Sequence, residues 1–442
     1  METNEIVKRI YYAVKLQLVS PLCVSSGEEI NTDSDVMRNW DGECFIPGTS
    51  TAGALRSYLG LKKEKDGILG YSKGHNGRMS SLFLSDMYFE GEVRTAERDG
   101  IRLKEDRTVE EKKKFQWEII DPGAETTLYL EYIERKEDKV SEPEKTIEGM
   151  ILAIHLGKIR FGSKKTSGFG RMKVNALYKK CFQAEDREEW LKFMKHPRQF
   201  SPQDSWNWNI SDDFLRQWEK DKKICEIVVP LRLTGGISIR RYSTKYGDAD
   251  YEHLSSAGNP VVPGSSLRGV FRADARRILR ELKCEKVEEN LEYWFGSIEE
   301  KRKVRSKITI EEGILRAEDK YPMSDLKITR NKISRFENVT VDTALYTERA
   351  HFGGRMDLVV HLCDREVKGK TERDGTILTP EAMAGLLLLV IQDMEMGYLP
   401  VGGEVAIGRG IFEKADVEDQ PKEWDQWEKA FYHWVKDHSR SV

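Results

Sequence analysis

Alternating apolar and polar residues predict one strand near the start of each half of this chain. Apolar side chains occupy every second position from Ile10 to Leu18, and the same alternation runs from Ile227 to Leu233. A period of two is typical of a half-buried strand. Pro230 lies inside the second strand and cannot donate a ladder hydrogen bond, which predicts an edge position.

The pattern after each opening strand also occurs twice in the same order. A polar loop (25–43 and 240–259) leads to a Pro-Gly turn and then to a helix that we expect Ser or Thr residues to cap. The segments predicted next are strands at 82–89 and 307–310, basic insertions at 94–122 and 326–353, strands at 127–132 and 356–362, and helices with a glycine-rich end at 148–170 and 380–410. Each copy closes with a short strand. The order β-α-β-β-α-β predicts an α+β fold of two tandem ferredoxin-like domains.

Two blocks of sequence support this internal duplication. The stretch from Pro47 to Arg56 recurs from Pro263 to Arg272, an offset of 216 residues. Four glycines keep their mutual spacing at an offset of 240: Gly157, Gly162, Gly168 and Gly170 recur as Gly397, Gly402, Gly408 and Gly410. We therefore expect a first domain at 1–182, a partly helical linker at 183–222, a second domain at 223–415 and a helical tail at 416–442.

Composition narrows the class of protein without identifying a partner. The 442 residues are 39% hydrophobic and 33% charged, which is typical of a globular protein, and the duplication favours two domains over three. The chain contains no run of about 18 apolar residues, and its first residues contain no apolar signal core, so we expect a cytoplasmic protein without a membrane span. Six cysteines without a CxxC pair indicate neither a zinc site nor a disulfide framework.

Acidic residues recur in the polar loop that precedes each Pro-Gly turn. The first copy has Asp33 and Asp35, and the second has Asp248 and Asp250. Paired loop carboxylates can hold Mg²⁺ or assist a proton transfer, whereas the alternative is a pair of solvated surface acids. The offset of 216 places Asp33 against Ala249, so the match between the loops needs an adjustment of one residue.

Basic residues supply candidate contacts to a polyanion despite a net charge of −3. Four arginines, at 268, 272, 276 and 280, follow an i,i+4 spacing and lie along one helix face, and Arg56 matches Arg272 in the first copy. A row of guanidinium groups suits a phosphate backbone, while the alternative is a solvated charged face.

The glycine blocks, the helix starts and the basic insertions complete the candidate set. Glycine backbones can hold a phosphate, although a tight helix-to-strand turn would use glycine equally well. Insertions that mix basic and aromatic residues can clamp a strand, although a surface loop has the same composition. The candidates are Ser50, Ser265, Ser266, Gly168, Gly170, Gly408, Gly410, Lys164, Lys165, Arg171, Arg409, Arg102, Lys104, Arg107, Arg330 and Lys332.

These elements together resemble the RAMP superfamily of CRISPR effector proteins. The resemblance covers about residues 8–175 and 224–412, and its most specific parts are Pro-Gly-Ser-Ser-Leu-Arg-Gly at 263–269 and the closing glycine blocks. More narrowly, the chain is similar to two fused copies of the backbone subunit of type III, RNA-targeting complexes. The first copy departs from the family pattern at Thr51 and Ala52, where the family has Leu and a basic residue.

The resemblance implies a modified RNA-recognition palm with a thumb-like β-hairpin in each copy. It implies binding to CRISPR RNA, target RNA and other effector subunits, namely backbone, small, 5′-handle-capping and large polymerase-like subunits. It also implies target-RNA cleavage through 2′-OH attack at two sites, with Asp33 and Asp248 as first choices, Asp35 and Asp250 close behind, and Mg²⁺ or Mn²⁺ held by Asp33 and Asp248. The alternatives are a non-catalytic scaffold subunit and, less favoured because no histidine precedes His75, a repeat-processing endoribonuclease.

Overall fold

A computed structural model describes most of the chain as two compact units. One unit is formed mainly by residues up to 201 and the other mainly by residues from 224 onward. The residues that the structure describes are 5–25, 27, 32–60, 67–73, 76–103, 108–136, 140–195, 200–201, 224–242, 248–299, 302–341, 344–363, 375–415 and 421–439.

The first unit is built around its opening strand. Ile6–Leu18 pairs antiparallel with Met172–Gln183 on one side and with Glu125–Arg135 on the other. The predicted strand at 82–89 is two short strands, Leu82–Leu84 and Met87–Glu90, which both pair with Glu125–Arg135. The closing strand therefore lies beside the opening strand, and the third predicted strand lies between the opening strand and the second.

The second unit repeats this order in a four-stranded sheet. Arg355–Cys363 and Ile411–Lys414 lie on either side of Ile224–Thr234, and Ile308–Ile310 is the next strand outward. The prediction of an edge strand is wrong, because the strand lies inside the sheet, although Pro230 itself pairs only with Asp357. The missing N–H is tolerated because the ladder to the closing strand starts at Leu231, one residue later.

Both Pro-Gly turns lead directly into a helix, Gly48–Leu59 in the first unit and Gly264–Glu281 in the second. The prediction of a Ser or Thr cap is wrong: the proline is the N-cap residue in each copy, without a side-chain cap. Its ψ of about 140° suits the N-cap, and its carbonyl accepts the first helical hydrogen bonds. Glycine is needed next, since a Cβ on Gly264 would lie 2.3 Å from the Ile310 carbonyl oxygen.

Apolar helices cover one face of each sheet and form the cores. Pro143–His155 buries most of its residues in the first unit, and Pro380–Glu395 does so in the second. The C-terminal helix Lys422–His438 is amphipathic and packs on Pro380–Glu395 with Phe431 and Trp434 buried. Gly385 permits this approach, because a Cβ there would lie 2.2 Å from the Trp427 carbonyl oxygen.

Each insertion contains a pair of strands. Thr95–Leu103 pairs with Val109–Ile120 in the first unit, and Met323–Arg330 pairs antiparallel with Tyr346–Gly353 in the second. Among the described residues, the remaining helices are Gly67–Leu69 (3₁₀), Lys165–Ser167 (3₁₀), Arg187–Lys195, Val287–Phe295 and Val405–Ile407 (3₁₀). The remaining strands in the described part of the chain are Phe45–Ile46, Tyr71–Lys73, Asn76–Arg78, Gly236–Ile237, Arg240–Tyr242, Tyr251–His253, Ser255–Ser256, Asn259–Val262, Ser297–Glu299, Arg302–Val304 and Gly313–Ile314.

Candidate functional sites

The first acidic loop, residues 32–38, exposes one of its two aspartates. Asp33 is exposed, and its Oδ2 accepts a hydrogen bond of 2.7 Å from the backbone N–H of Gln116. Gln116 lies on Val109–Ile120, the strand that returns from the insertion. Nearby, Arg38 forms an ion pair with Glu118 of the same strand. The carboxylate of Asp33 is thus held at the surface by an element of the unit's own framework.

Asp35 is the buried member of the pair, with 6% of its surface exposed. Its Oδ1 accepts hydrogen bonds from the backbone N–H of Thr32 (2.9 Å) and from the Thr32 hydroxyl (2.7 Å). These bonds close a local turn, which gives Asp35 a structural task that Asp33 lacks.

The second acidic loop, residues 248–253, contains a close match to Asp33. Asp250 is exposed, and its Oδ2 accepts a hydrogen bond of 2.6 Å from the backbone N–H of Thr347. Thr347 lies on Tyr346–Gly353, which is again the strand that returns from the insertion. Loop and strand run parallel in register, with Tyr251 opposite Glu348.

Asp248 has a different environment from Asp33. Its Oδ1 accepts a hydrogen bond of 2.8 Å from Arg349 Nη2 and another of 3.0 Å from the backbone N–H of Ala249. By contacts and exposure, Asp250 is therefore the structural counterpart of Asp33. The sequence left this open because the loops differ in length, and only the shared hydrogen bond to the returning strand fixes the match.

A cluster of charged residues lies behind the second acidic loop. Glu348 is fully buried and forms ion pairs with Arg330 (2.6 Å) and Arg409 (3.5 Å). Glu404 lies in the second glycine block, 3.4 Å from Arg330, and it accepts a hydrogen bond of 3.2 Å from the Tyr251 hydroxyl. Burial and the neighbouring Glu404 raise the pKa of Glu348. Arg330 and Arg409, predicted to contact RNA, thus act as counter-ions within their own unit.

An exposed arginine completes this cluster and was absent from the sequence-based candidates. Arg240 is exposed, its guanidinium carbon lies 4.2 Å from the centre of the Tyr251 ring, and its Nη2 lies 3.4 Å from Glu404. Glu404 could have been found from the repeat, because it stands 240 positions after the candidate Lys164.

The corresponding region of the first unit has aromatic residues in place of the buried acids. The Lys164 ammonium lies 4.5 Å from the centre of the Trp117 ring and 5.0 Å from that of Phe115. The Arg98 guanidinium lies 5.4 Å from the Phe169 ring centre, and Phe169 stands 240 positions before Arg409. Burial of the ammonium against the rings lowers the pKa of Lys164.

The arginine row on Gly264–Glu281 is bonded to the helix that follows it. Arg268 donates to the Phe295 carbonyl and Arg272 to the Gly296 carbonyl, 3.1 Å away. Arg276 donates through two nitrogens to Glu288 (2.7 and 2.9 Å), which also lies 3.2 Å from Arg280. The bond to Arg276 lowers the pKa of Glu288. The counter-charge that the helix itself lacks is thus supplied by Val287–Phe295.

Arg56 makes the equivalent contacts in the first unit. It donates to the carbonyls of Leu69 (2.7 Å) and Gly70 (3.0 Å), the residues that match Phe295 and Gly296. A guanidinium that closes the turn after the helix is therefore a repeated feature of the fold. RNA contact by Arg56, Arg268, Arg272 and Arg276 stays a prediction, which would have to use donors beyond those that hold the turns.

The glycine blocks are tight turns in both units. Gly168, Gly170, Gly408 and Gly410 all have positive φ. The N–H of Gly170 donates to the Pro21 carbonyl and that of Gly410 to the Gly236 carbonyl, both at 2.8 Å. A Cβ at Gly170 or Gly410 would lie under 2 Å from the carbonyl oxygen of Phe161 or Val401. Steric fit requires these two glycines whether or not the loops contact a phosphate.

The other predicted contacts are spread over both units. Ser50, Ser265 and Ser266 lie in the first turns of their helices, with Ser50 and Ser265 exposed. Lys165 begins a 3₁₀ turn, Arg171 packs beside Gly157, and Lys332 is exposed in the second insertion. Lys104 and Arg107 lie outside the described residues, as does the side chain of Arg102.

The acidic loops do not form a protein-only metal cage. Within the described part of the chain, no group of three or more His, Cys, Asp or Glu side chains is placed to hold a metal ion. Mg²⁺ commonly binds one or two carboxylates together with waters and substrate phosphates, so a single exposed carboxylate in each loop fits only that mode.

Comparison with known proteins gives one family match. The family model described as the RAMP superfamily matches residues 15–173 and 230–413, which is most of the chain and falls once on each copy. A search of curated protein sequences found no match. Among the described helices, none combines the length and apolar character needed to cross a bilayer.

Proposed function

Because the chain belongs to the RAMP superfamily, whose members work in CRISPR RNA–protein complexes, we propose that it is a tandem backbone subunit of a type III effector complex. In this proposal it binds CRISPR RNA and cleaves complementary target RNA at two places. Its partners are the two RNAs and the other subunits of the complex, that is, further backbone subunits together with small, 5′-handle-capping and large polymerase-like ones.

We assign the RNA-recognition palm to the main sheet of each unit and the thumb to its insertion. The strand order supports the first assignment, because both sheets place the closing strand beside the opening one. The second insertion supports the assignment of the thumb, because Phe336 and Lys332 are exposed there. An exposed aromatic ring with neighbouring cations suits stacking on a base and contact with the adjacent phosphate.

The observation that carries the cleavage proposal is the matched pair of exposed aspartates. Asp33 and Asp250 each accept one backbone N–H from the returning strand of the insertion. A carboxylate fixed in this way beside a thumb can meet a target nucleotide that the thumb has displaced from the guide duplex. We therefore propose Asp33 and Asp250 as the acting residues, and Asp248 as a partner of Arg349.

The proposed reaction is attack of a target 2′-OH on its own phosphate. The 2′ oxygen forms a bond to phosphorus as the bond from phosphorus to the 5′ oxygen breaks, which leaves a 2′,3′-cyclic phosphate and a 5′-OH. The carboxylate accepts the proton of the 2′-OH, and the departing 5′ oxygen takes up a proton. Because attack is intramolecular, alignment of the splayed nucleotide supplies much of the rate.

Asp33 and Asp250 would each supply one oxygen to a Mg²⁺ or Mn²⁺ ion that the RNA phosphate helps to hold. Such an ion would offset negative charge on the phosphate. Asp248 is less suited to this task, since Arg349 already neutralises its carboxylate.

The test is a set of single substitutions in the assembled complex. Asp33→Ala should abolish one target-cleavage product and Asp250→Ala the other, each by about 10²–10⁴-fold, because an activating group is removed. Asp248→Ala and Asp35→Ala serve as matched controls, and binding of guide RNA should be unchanged. A target with one 2′-deoxyribose at a scissile position should escape cleavage there alone.

Two results would separate the alternatives. Disappearance of a product on Asp248→Ala with full activity of Asp250→Ala would return the role to Asp248. Survival of both products in all four variants would favour a non-catalytic scaffold subunit that holds the guide RNA.

A further inference from the structure

An exposed cation lies over aromatic rings of the strand that holds Asp33. The Lys164 ammonium sits over the rings of Phe115 and Trp117. These residues flank Gln116, whose backbone N–H holds Asp33. The cation and the carboxylate are thus anchored to the same three residues of one strand.

The second unit reaches a similar arrangement with different residues. Position 404, which corresponds to Lys164, holds a glutamate, yet a cation is present: Arg240 lies over the ring of Tyr251, the residue after Asp250. Glu404 contacts the Arg240 guanidinium and also accepts the Tyr251 hydroxyl. The charge at position 164 or 404 has reversed between copies, but both copies keep an exposed cation over an aromatic ring. That ring is next in sequence to the aspartate or to its hydrogen-bond partner.

Such a cation has a use in the proposed chemistry. Attack of the 2′ oxygen adds negative charge to the phosphate, and a pre-positioned cation stabilises that charge more than the charge of the starting ester. A ring face and, in the second unit, a carboxylate hold these two side chains in place, so little ordering is needed when the RNA arrives. Partial burial lowers the pKa of the Lys164 ammonium, and a nearby phosphate would offset this effect because an opposite charge favours the protonated form.

We propose that Lys164 and Arg240 are the residues that contact the scissile target phosphate at the two cleavage sites, and that Glu404 is a positioning residue for Arg240. This inference rests on the proposed function and adds to it the group that meets the phosphate. It also explains how one fold keeps both sites equipped although Lys164 is replaced by Glu404 in the second copy.

The experiment follows both cleavage products under single-turnover conditions in the assembled complex. Lys164→Met should slow the Asp33-dependent product by about 10²-fold and leave the other product unchanged, with Arg240→Gln giving the reverse. Lys164→Arg should restore most of the rate, since charge is kept. Lys429→Met, an exposed cation on the C-terminal helix of the second unit, is the matched control and should change neither rate of chemistry.

The positioning role of Glu404 has its own readout. Glu404→Gln should slow only the Asp250-dependent product at saturating target, with target affinity unchanged, because it loosens the guanidinium without removing it. Normal rates for both Lys164→Met and Arg240→Gln, in a complex where Asp33→Ala and Asp250→Ala abolish their products, would overturn this inference and leave the proposed function standing. Absence of cleavage in the unsubstituted complex would overturn both.

Discussion

At the residue scale, two acids two positions apart have opposite environments. Asp33 is exposed and contacts the returning strand, whereas Asp35 is buried and bonded to Thr32. Chemistry on RNA needs an accessible carboxylate, and a stable loop needs a satisfied buried one. This difference supports the proposed role of Asp33, whereas Asp35 stabilises the loop through its bonds to Thr32.

Asp35→Ala should lower the free energy of unfolding by about 1–3 kcal/mol, because it leaves the Thr32 N–H and hydroxyl without their buried acceptor. Asp33→Ala should change it by no more than about 0.5 kcal/mol, since water can replace an exposed acceptor. Denaturant unfolding of the full chain measures both. Equal decreases in the two variants would contradict this division of roles.

At the scale of elements, each helix after a Pro-Gly turn is joined to the segment that follows it. Arg56 and Arg272 both bind carbonyls of the closing turn, and Glu288 adds two further arginine contacts in the second unit. These helices also contain glycines that, unlike those in the closing glycine blocks, are not required by close packing. Gly53 and Gly269 lie on exposed helix faces where an added Cβ would meet no described atom within 4 Å.

Gly53→Ala and Gly269→Ala should each raise the free energy of unfolding by about 0.5–1 kcal/mol, because alanine restricts the unfolded chain and suits a helix. Gly410→Ala should lower it by about 2–4 kcal/mol, since φ is +71° and the new Cβ would overlap the Val401 carbonyl oxygen. Thermal and denaturant unfolding distinguish these signs. A stabilised Gly410→Ala variant would show that the closing turn is not fixed as described.

At the scale of the whole molecule, a net charge of −3 coexists with local groups of exposed cations. Within the described residues the arginine row is engaged by neighbouring carbonyls and by Glu288, whereas Lys332 and Arg335 are exposed in the second insertion. Binding to RNA should therefore depend more on the insertion than on the helix. We therefore expect substitutions in the insertion, and not in the helix, to alter the salt dependence of RNA binding.

The purified chain should bind single-stranded RNA with an affinity that falls as salt rises. Joint substitution of Lys332 and Arg335 by Ala should reduce the slope of log K against log salt by about 0.7 for each phosphate that the protein no longer neutralises. Arg276→Ala should leave that slope unchanged and lower stability, because it removes the Glu288 ion pair. An unchanged slope in the double variant would show that these two insertion residues do not contact RNA. A reduced slope in Arg276→Ala would show that the helix face does.

The sequence by itself determined the duplication, the main strands of each sheet and the family, because hydrophobic periodicity and recurring glycines are local properties of the chain. It also placed the acidic loops, since each precedes a Pro-Gly turn. Only the tertiary structure decided that Asp250 matches Asp33, because the match depends on a hydrogen bond to a strand 83 or 97 positions away. Likewise, the partners of the arginine row and of Arg240 come from segments distant in the chain. Composition and local spacing do not indicate which charged residues the fold brings into contact.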